Sequence, residues 1–168
     1  LPDSVCIRMN ELINLTDKLD TNGILNWDVP KGNWTILRIG HTSTGHTNYI
    51  GGKGLGLECD KFNPEIIKFQ FSQWFGKVFE EIDPDLAKEV LKVFHIDSWE
   101  CGSQNWSTVF RYEFKKRRGY DIYDWLPVMT GLPVENALKS EEILYDVRKT
   151  IDELITDNFF KTMAAEAE

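Results

Sequence analysis

Cysteine is scarce in this chain of 168 residues, where Cys6, Cys59 and Cys101 are the full set. An odd, widely spaced set makes no disulfide framework, and none of the three has the paired spacing of a zinc site. They read as three small buried or half-buried side chains. Positive charge is also short: 19 Lys and Arg stand against 27 Asp and Glu, for a net charge of -8. That balance argues against nucleic acid and against an anionic membrane surface as partners. No apolar run reaches the roughly 20 residues that span a bilayer. His41, His46 and His95 lack metal-ligand spacing. There is no internal repeat and no low-complexity linker. The chain opens Leu1-Pro2 with neither Met nor a leader pattern, so it reads as a processed or partial piece.

What remains is an ordinary soluble composition, with 42% hydrophobic and 27% charged residues. The length allows one domain with a real core. The one basic run, Lys115-Lys116-Arg117-Arg118, follows Phe110 and Phe114 at helical spacing. It reads as a solvated helix end favoured by the macrodipole.

Trp34 to His41 is rich in β formers and predicts a strand, followed by a polar, Gly-rich loop from Thr42 to Asp60. Leu12 to Leu15 is a candidate short strand, and Asp20-Thr21-Asn22-Gly23 predicts a turn. Asn63-Pro64 reads as an N-cap with proline at the first helical position. Ile67, Phe71, Trp74, Phe75, Val78, Phe79 and Ile82 then recur at helical spacing, and Asp83-Pro84 stops that helix. Leu91 to Asp97 is a short apolar run, expected as a buried parallel strand. A helix starts at Ser107 or Thr108 and ends at Gly119. Residues 120–136 read as irregular. Ser140 is expected to cap a last helix near 141–163, whose buried face is Leu144, Val147, Ile151, Leu154, Ile155 and Phe159. The order strand, helix, strand, helix, helix predicts an α/β fold with parallel strands and long helices.

The densest chemistry lies where the apolar run ends: His95-Ile96-Asp97-Ser98-Trp99-Glu100-Cys101-Gly102-Ser103-Gln104-Asn105-Trp106. Catalytic groups collect at strand ends in parallel α/β folds. Two carboxylates, two tryptophans and two amides suit a pocket that cleaves sugars. Glu100 is the candidate catalytic residue. A general-acid role follows if apolar neighbours raise its pKa, and the base role stays open. Inverting glycosidases need two carboxyl groups about 6.5–9.5 Å apart. Asp97 and Glu100 are too close in sequence to form that pair themselves. Asp97 fits hydroxyl binding and loop capping equally. Trp99 and Trp106 fit sugar stacking or ordinary packing. Gln104 and Asn105 fit hydroxyl recognition or a turn. His41 is a candidate substrate contact. Gly51 to Gly56 matches no phosphate-loop order. Glu58 and Asp60 offer oxygens to a cation, or simply face water.

Four stretches carry a family resemblance. They are Trp34-Thr35-Ile36-Leu37-Arg38-Ile39-Gly40-His41-Thr42-Ser43-Thr44-Gly45, then Gly54-Leu55-Gly56-Leu57-Glu58-Cys59-Asp60-Lys61. Ile96 to Trp106 and Arg117-Arg118-Gly119-Tyr120-Asp121 follow. In that order the chain resembles glycoside hydrolase family 106, the α-L-rhamnosidase-type enzymes. The resemblance implies a partial (β/α)8 (TIM-type) barrel segment from a longer multidomain enzyme, since a whole barrel needs roughly 250 residues. Residues 1–168 are then one piece of a catalytic domain, with a β-rich loop region over 1–62 and β/α units over 63–168. It further implies inverting hydrolysis of α-L-rhamnosides in plant or pectic glycans, calcium near the site, and an extracytoplasmic, periplasmic or secreted location. The second catalytic carboxylate is expected beyond residue 168, which leaves this chain alone inactive and prone to self-association through open strand edges. The competing expectation is a non-catalytic carbohydrate-binding module built on Trp99 and Trp106.

Overall fold

The computed structural model describes residues 2–47, 54–96 and 102–168. In chain order its α-helices are α1 (Pro64–Phe71), α2 (Lys77–Glu81), α3 (Pro84–Val90), α4 (Phe110–Arg118), α5 (Leu126–Met129), α6 (Ala137–Leu154) and α7 (Lys161–Glu166). A π turn, Ser72–Gly76, links α1 to α2, and a second, Ile155–Phe160, links α6 to α7.

Local chemistry explains most of these boundaries. The Asn63 side chain accepts from the Glu65 N–H at 3.1 Å, and Pro64 opens α1. The predicted helix near 64–82 is thus present, with a π turn inside it. Asp83-Pro84 does more than stop it. Asp83 accepts from the Asp85 and Leu86 N–H groups at 3.0 and 3.1 Å and so caps α3, a helix absent from the sequence reading. Gly119, at φ 83°, ends α4 where expected. The last helix starts earlier than predicted. Asn136 Oδ1 accepts from Lys139 N at 2.7 Å, so Asn136 takes the capping role assigned to Ser140. The buried Ser140 hydroxyl serves Val134 instead, accepting its N–H at 2.9 Å and facing its carbonyl at 3.1 Å.

The expectation of an α/β barrel segment with parallel strands is overturned. Among the described residues there is no sheet. Pairing is confined to isolated bridges, Ile7 with Val134, Leu19 with Leu25 and Thr47 with Leu57. Trp34–His41, Leu12–Leu15 and Leu91–Ile96 are not strands. The reason is that β propensity favours an extended backbone but supplies no partner, and a strand stands only when neighbours take its N–H and C=O groups. Burial shows the same mismatch: Ile36 is 59% and Val93 85% exposed.

The chain forms two compact units, each described by itself. One comprises Leu1–Gly40 and Phe114–Arg148. Its buried side chains include Phe114, Ile122, Val128, Val134, Ile143 and Val147. Phe114 stands edge-on to Tyr120 at 5.1 Å, and the Tyr120 hydroxyl donates to Asp146 Oδ2 at 2.8 Å. The predicted turn at Asp20 is present: Asp20 Oδ1 accepts from the Asn22 and Ile24 N–H groups, with Gly23 at φ 79°.

The other unit comprises His41–Glu113 and Lys149–Glu168. Here α1 packs against α7 around Ile67, Phe71, Phe159 and Met163. Cys59, Phe75, Phe94 and Ile96 pack against that cluster. Trp74, expected on the buried face, is 60% exposed.

Candidate active site

Asp97, Trp99, Glu100 and Cys101 lie outside the described residues. The candidate site is therefore built from what stands on either side of them. Upstream, burial alternates from residue to residue. Val93 and His95 are exposed, whereas Phe94 and Ile96 turn into the apolar cluster. Phe94 meets Phe75 edge-to-face at 4.7 Å and Phe71 at 5.8 Å. These ring contacts anchor the chain as it enters the carboxylate stretch.

Downstream, Gly102 holds φ 77°, a conformation open chiefly to glycine. Gln104 follows, half-buried and bonded at both ends of its amide. Its Oε1 accepts from Lys61 N at 3.1 Å, and its Nε2 donates to Asp60 Oδ1 at 2.6 Å and to the Trp106 carbonyl at 3.4 Å. Asn105 is exposed. Trp106 is half-buried, its ring centroid 4.8 Å from Phe110 and 6.4 Å from His41. The structure thus brings His41, Gln104 and Trp106 together, three of the residues singled out in the sequence.

Glu58 and Asp60 are not plain solvated residues, since both carboxylates have partners within the protein. Glu58 pairs with Lys61 at 2.8 Å, and Lys61 is only 7% exposed. The Lys61 ammonium also stands 6.0 Å from the centre of the Phe159 ring. Asp60 Oδ1 takes the Phe62 N–H at 3.0 Å besides the Gln104 amide. Asn158 Nδ2 donates to the Phe62 carbonyl at 2.7 Å. Lys61 and Asn158 were not singled out in the sequence. No signal in the sequence marks Asn158, because Ile155 and Phe159 keep an ordinary four-residue helical step and the π turn at Ile155–Phe160 shows only in the structure. Burial pushes the neighbouring Cys59 thiol up to about 11, against the pull of Lys61.

Among the described residues no group of three or more His, Cys, Asp or Glu side chains could hold a metal ion. No helix among the described residues is long and apolar enough to cross a membrane.

Comparison with known proteins agrees with the motifs. The family model of glycoside hydrolase family 106, described as alpha-L-rhamnosidase, matches residues 2–168. A protein of Formosa agariphila, named with a provisional qualifier as a beta-glucuronidase, is 38% identical over 161 residues. A solved rhamnosidase structure from Novosphingobium sp. PP1Y is similar with a TM-score of 0.79 at 30% identity. Each similarity covers 95% of this chain, which spans 14% of the first relative and 16% of the second.

Proposed function

The chain belongs to glycoside hydrolase family 106, and from that premise we propose that it is part of the catalytic region of an α-L-rhamnosidase-type glycosidase. The observation that carries this reading is the family match over residues 2–168, which takes in the whole stretch from Asp97 to Trp106. Glu100 is one of two catalytic carboxyl groups. Its partner belongs to a part of the parent protein outside this chain. In an inverting hydrolysis one carboxyl protonates the leaving oxygen while the other activates a water on the opposite face of the ring. The acid role suits Glu100 if apolar neighbours raise its pKa, and the base role stays open. Asp97 and Asn105 bind sugar hydroxyls, and Trp99, Trp106 and His41 offer faces and edges to the ring. Without the second carboxyl group the isolated chain is inactive.

The substrate is a rhamnoside of a plant or pectic glycan, met outside the cytoplasm. The same reading extends to a calcium ion near the site in the parent. Exposed apolar side chains such as Ile36 and Val93 support self-association of the isolated chain. Light scattering is expected to give a dimer or larger, and a monomer at every concentration would contradict this.

A second reading, hydrolysis of a β-glucuronide, is favoured by the relative from Formosa agariphila. The test is to assay the full-length parent on an aryl α-L-rhamnoside and an aryl β-D-glucuronide. Release from the rhamnoside supports the first reading, and release from the glucuronide alone replaces it with the second. Binding without release from either leaves the non-catalytic carbohydrate module.

A further inference from the structure

Gln104 has the donors and acceptors to read a sugar hydroxyl, yet the structure uses them elsewhere. A primary amide offers two N–H donors and two lone pairs on its oxygen. Both donors have partners here, Asp60 Oδ1 at 2.6 Å and the Trp106 carbonyl at 3.4 Å, and Oε1 takes the Lys61 N–H at 3.1 Å. The bond to the carboxylate is charge-assisted and short, the strongest of the three.

We propose that Gln104 is a positioning residue, which never touches the sugar and acts through Trp106. It ties the backbone that carries Trp106 to the stretch Asp60-Lys61. That stretch is itself held firmly. Lys61 is nearly buried on Glu58 and above the Phe159 ring, and the Phe62 carbonyl takes the Asn158 amide at 2.7 Å. Trp106 is thereby referenced to the apolar cluster, with its ring centroid 4.8 Å from Phe110 and 6.4 Å from His41. The inference rests on the reading of Trp106 as a sugar-facing residue.

The test uses the full-length parent with Gln104→Met, which keeps the side chain's length and removes all three bonds. Two measurements are made. Hydrogen exchange of the peptide covering 58–62 is expected to run roughly tenfold faster, because the Lys61 N–H loses its acceptor; that ratio matches the loss of one hydrogen bond. For an aryl rhamnoside, KM is expected to rise about tenfold with kcat within about threefold, as for lost binding. The cycle with Trp106→Ala then separates the two roles. If Gln104 acts through Trp106, Gln104→Met adds less than about twofold to KM once Trp106 is gone. Independent, multiplying effects would mean that Gln104 touches the sugar itself and would overturn the proposal, as would unchanged exchange. Should Gln104→Met fail to fold, Gln104→Glu keeps the acceptor for Lys61 but sets a carboxylate against Asp60. Its defect should ease as the pH falls and the pair shares a proton, and a defect independent of pH contradicts the clasp. A wild-type parent inactive on rhamnosides removes the functional reading, while the exchange measurement still decides whether the clasp exists.

Discussion

Cys59 and Tyr120 show how strongly position governs a side chain's chemistry here. Cys59 packs against the apolar cluster, and burial raises its thiol to about 11. Only the thiolate reacts, so at pH 8 alkylation of Cys59 by iodoacetamide should run roughly a hundredfold slower than that of a free cysteine. Mass spectrometry of the modified peptide measures this. The folded state holds the thiol proton more tightly than the unfolded chain does, so its contribution to stability is whole below pH 9 and is lost as the pH climbs towards about 11. Tyr120 is raised well above an ordinary phenol, first by burial and then by its hydrogen bond to Asp146. Tyr120→Phe should cost about 1 kcal/mol, read as an earlier midpoint in urea. The sequence placed Tyr120 in a family motif without showing its role, because Asp146 stands 26 positions away. The role of Ser140 is hidden in the sequence for a related reason. Ser and Asn both cap helices, and only tertiary structure shows that the Ser140 hydroxyl is needed by the fully buried Val134.

Among the elements, α3 repays a test. It runs for seven residues and leaves Leu86 and Val90 exposed, so its cap matters more than its packing. Asp83→Ala should cost about 1 kcal/mol, and exchange should quicken through Pro84–Val90 before the rest of the chain. The same Asx-Pro pair that announced α1 at Asn63 announced α3 at Asp83. From sequence alone the pair at Asp83 marks only a stop, because proline after an apolar helical run also acts as a breaker. The long helices were legible from their apolar spacing. The π turns were not, since period 3.6 gives no sign of an extra residue in a turn. The π turn at Ile155–Phe160 carries both Asn158 and Phe159 towards the 58–62 stretch. The strands failed for a different reason. Trp34–His41 and Leu91–Ile96 have the right residues for strands, but pairing is a property of neighbours and not of the segment.

At the scale of the whole molecule, two described anchors frame one short stretch of chemistry. Phe94 and Ile96 hold the approach to Asp97 in the apolar cluster, and Gln104 and Trp106 hold the chain beyond Cys101. The types of residue needed for sugar cleavage were readable in that stretch from the start, and the motif order identified the family. The support beneath it was not readable, because Asp60, Lys61 and Asn158 are distant in sequence from Gln104. The central claim is that Glu100 performs catalysis in the parent protein. Its most direct test is the kcat of Glu100→Gln in the full-length parent, measured on a plant rhamnoside and on an aryl rhamnoside with a very good leaving group. A positioned acid contributes about 10²–10⁴ in rate, so the plant rhamnoside should lose that factor, and the activated substrate, which needs little protonation, should lose far less. Near wild-type kcat on both substrates would contradict the account and leave Glu100 a structural residue.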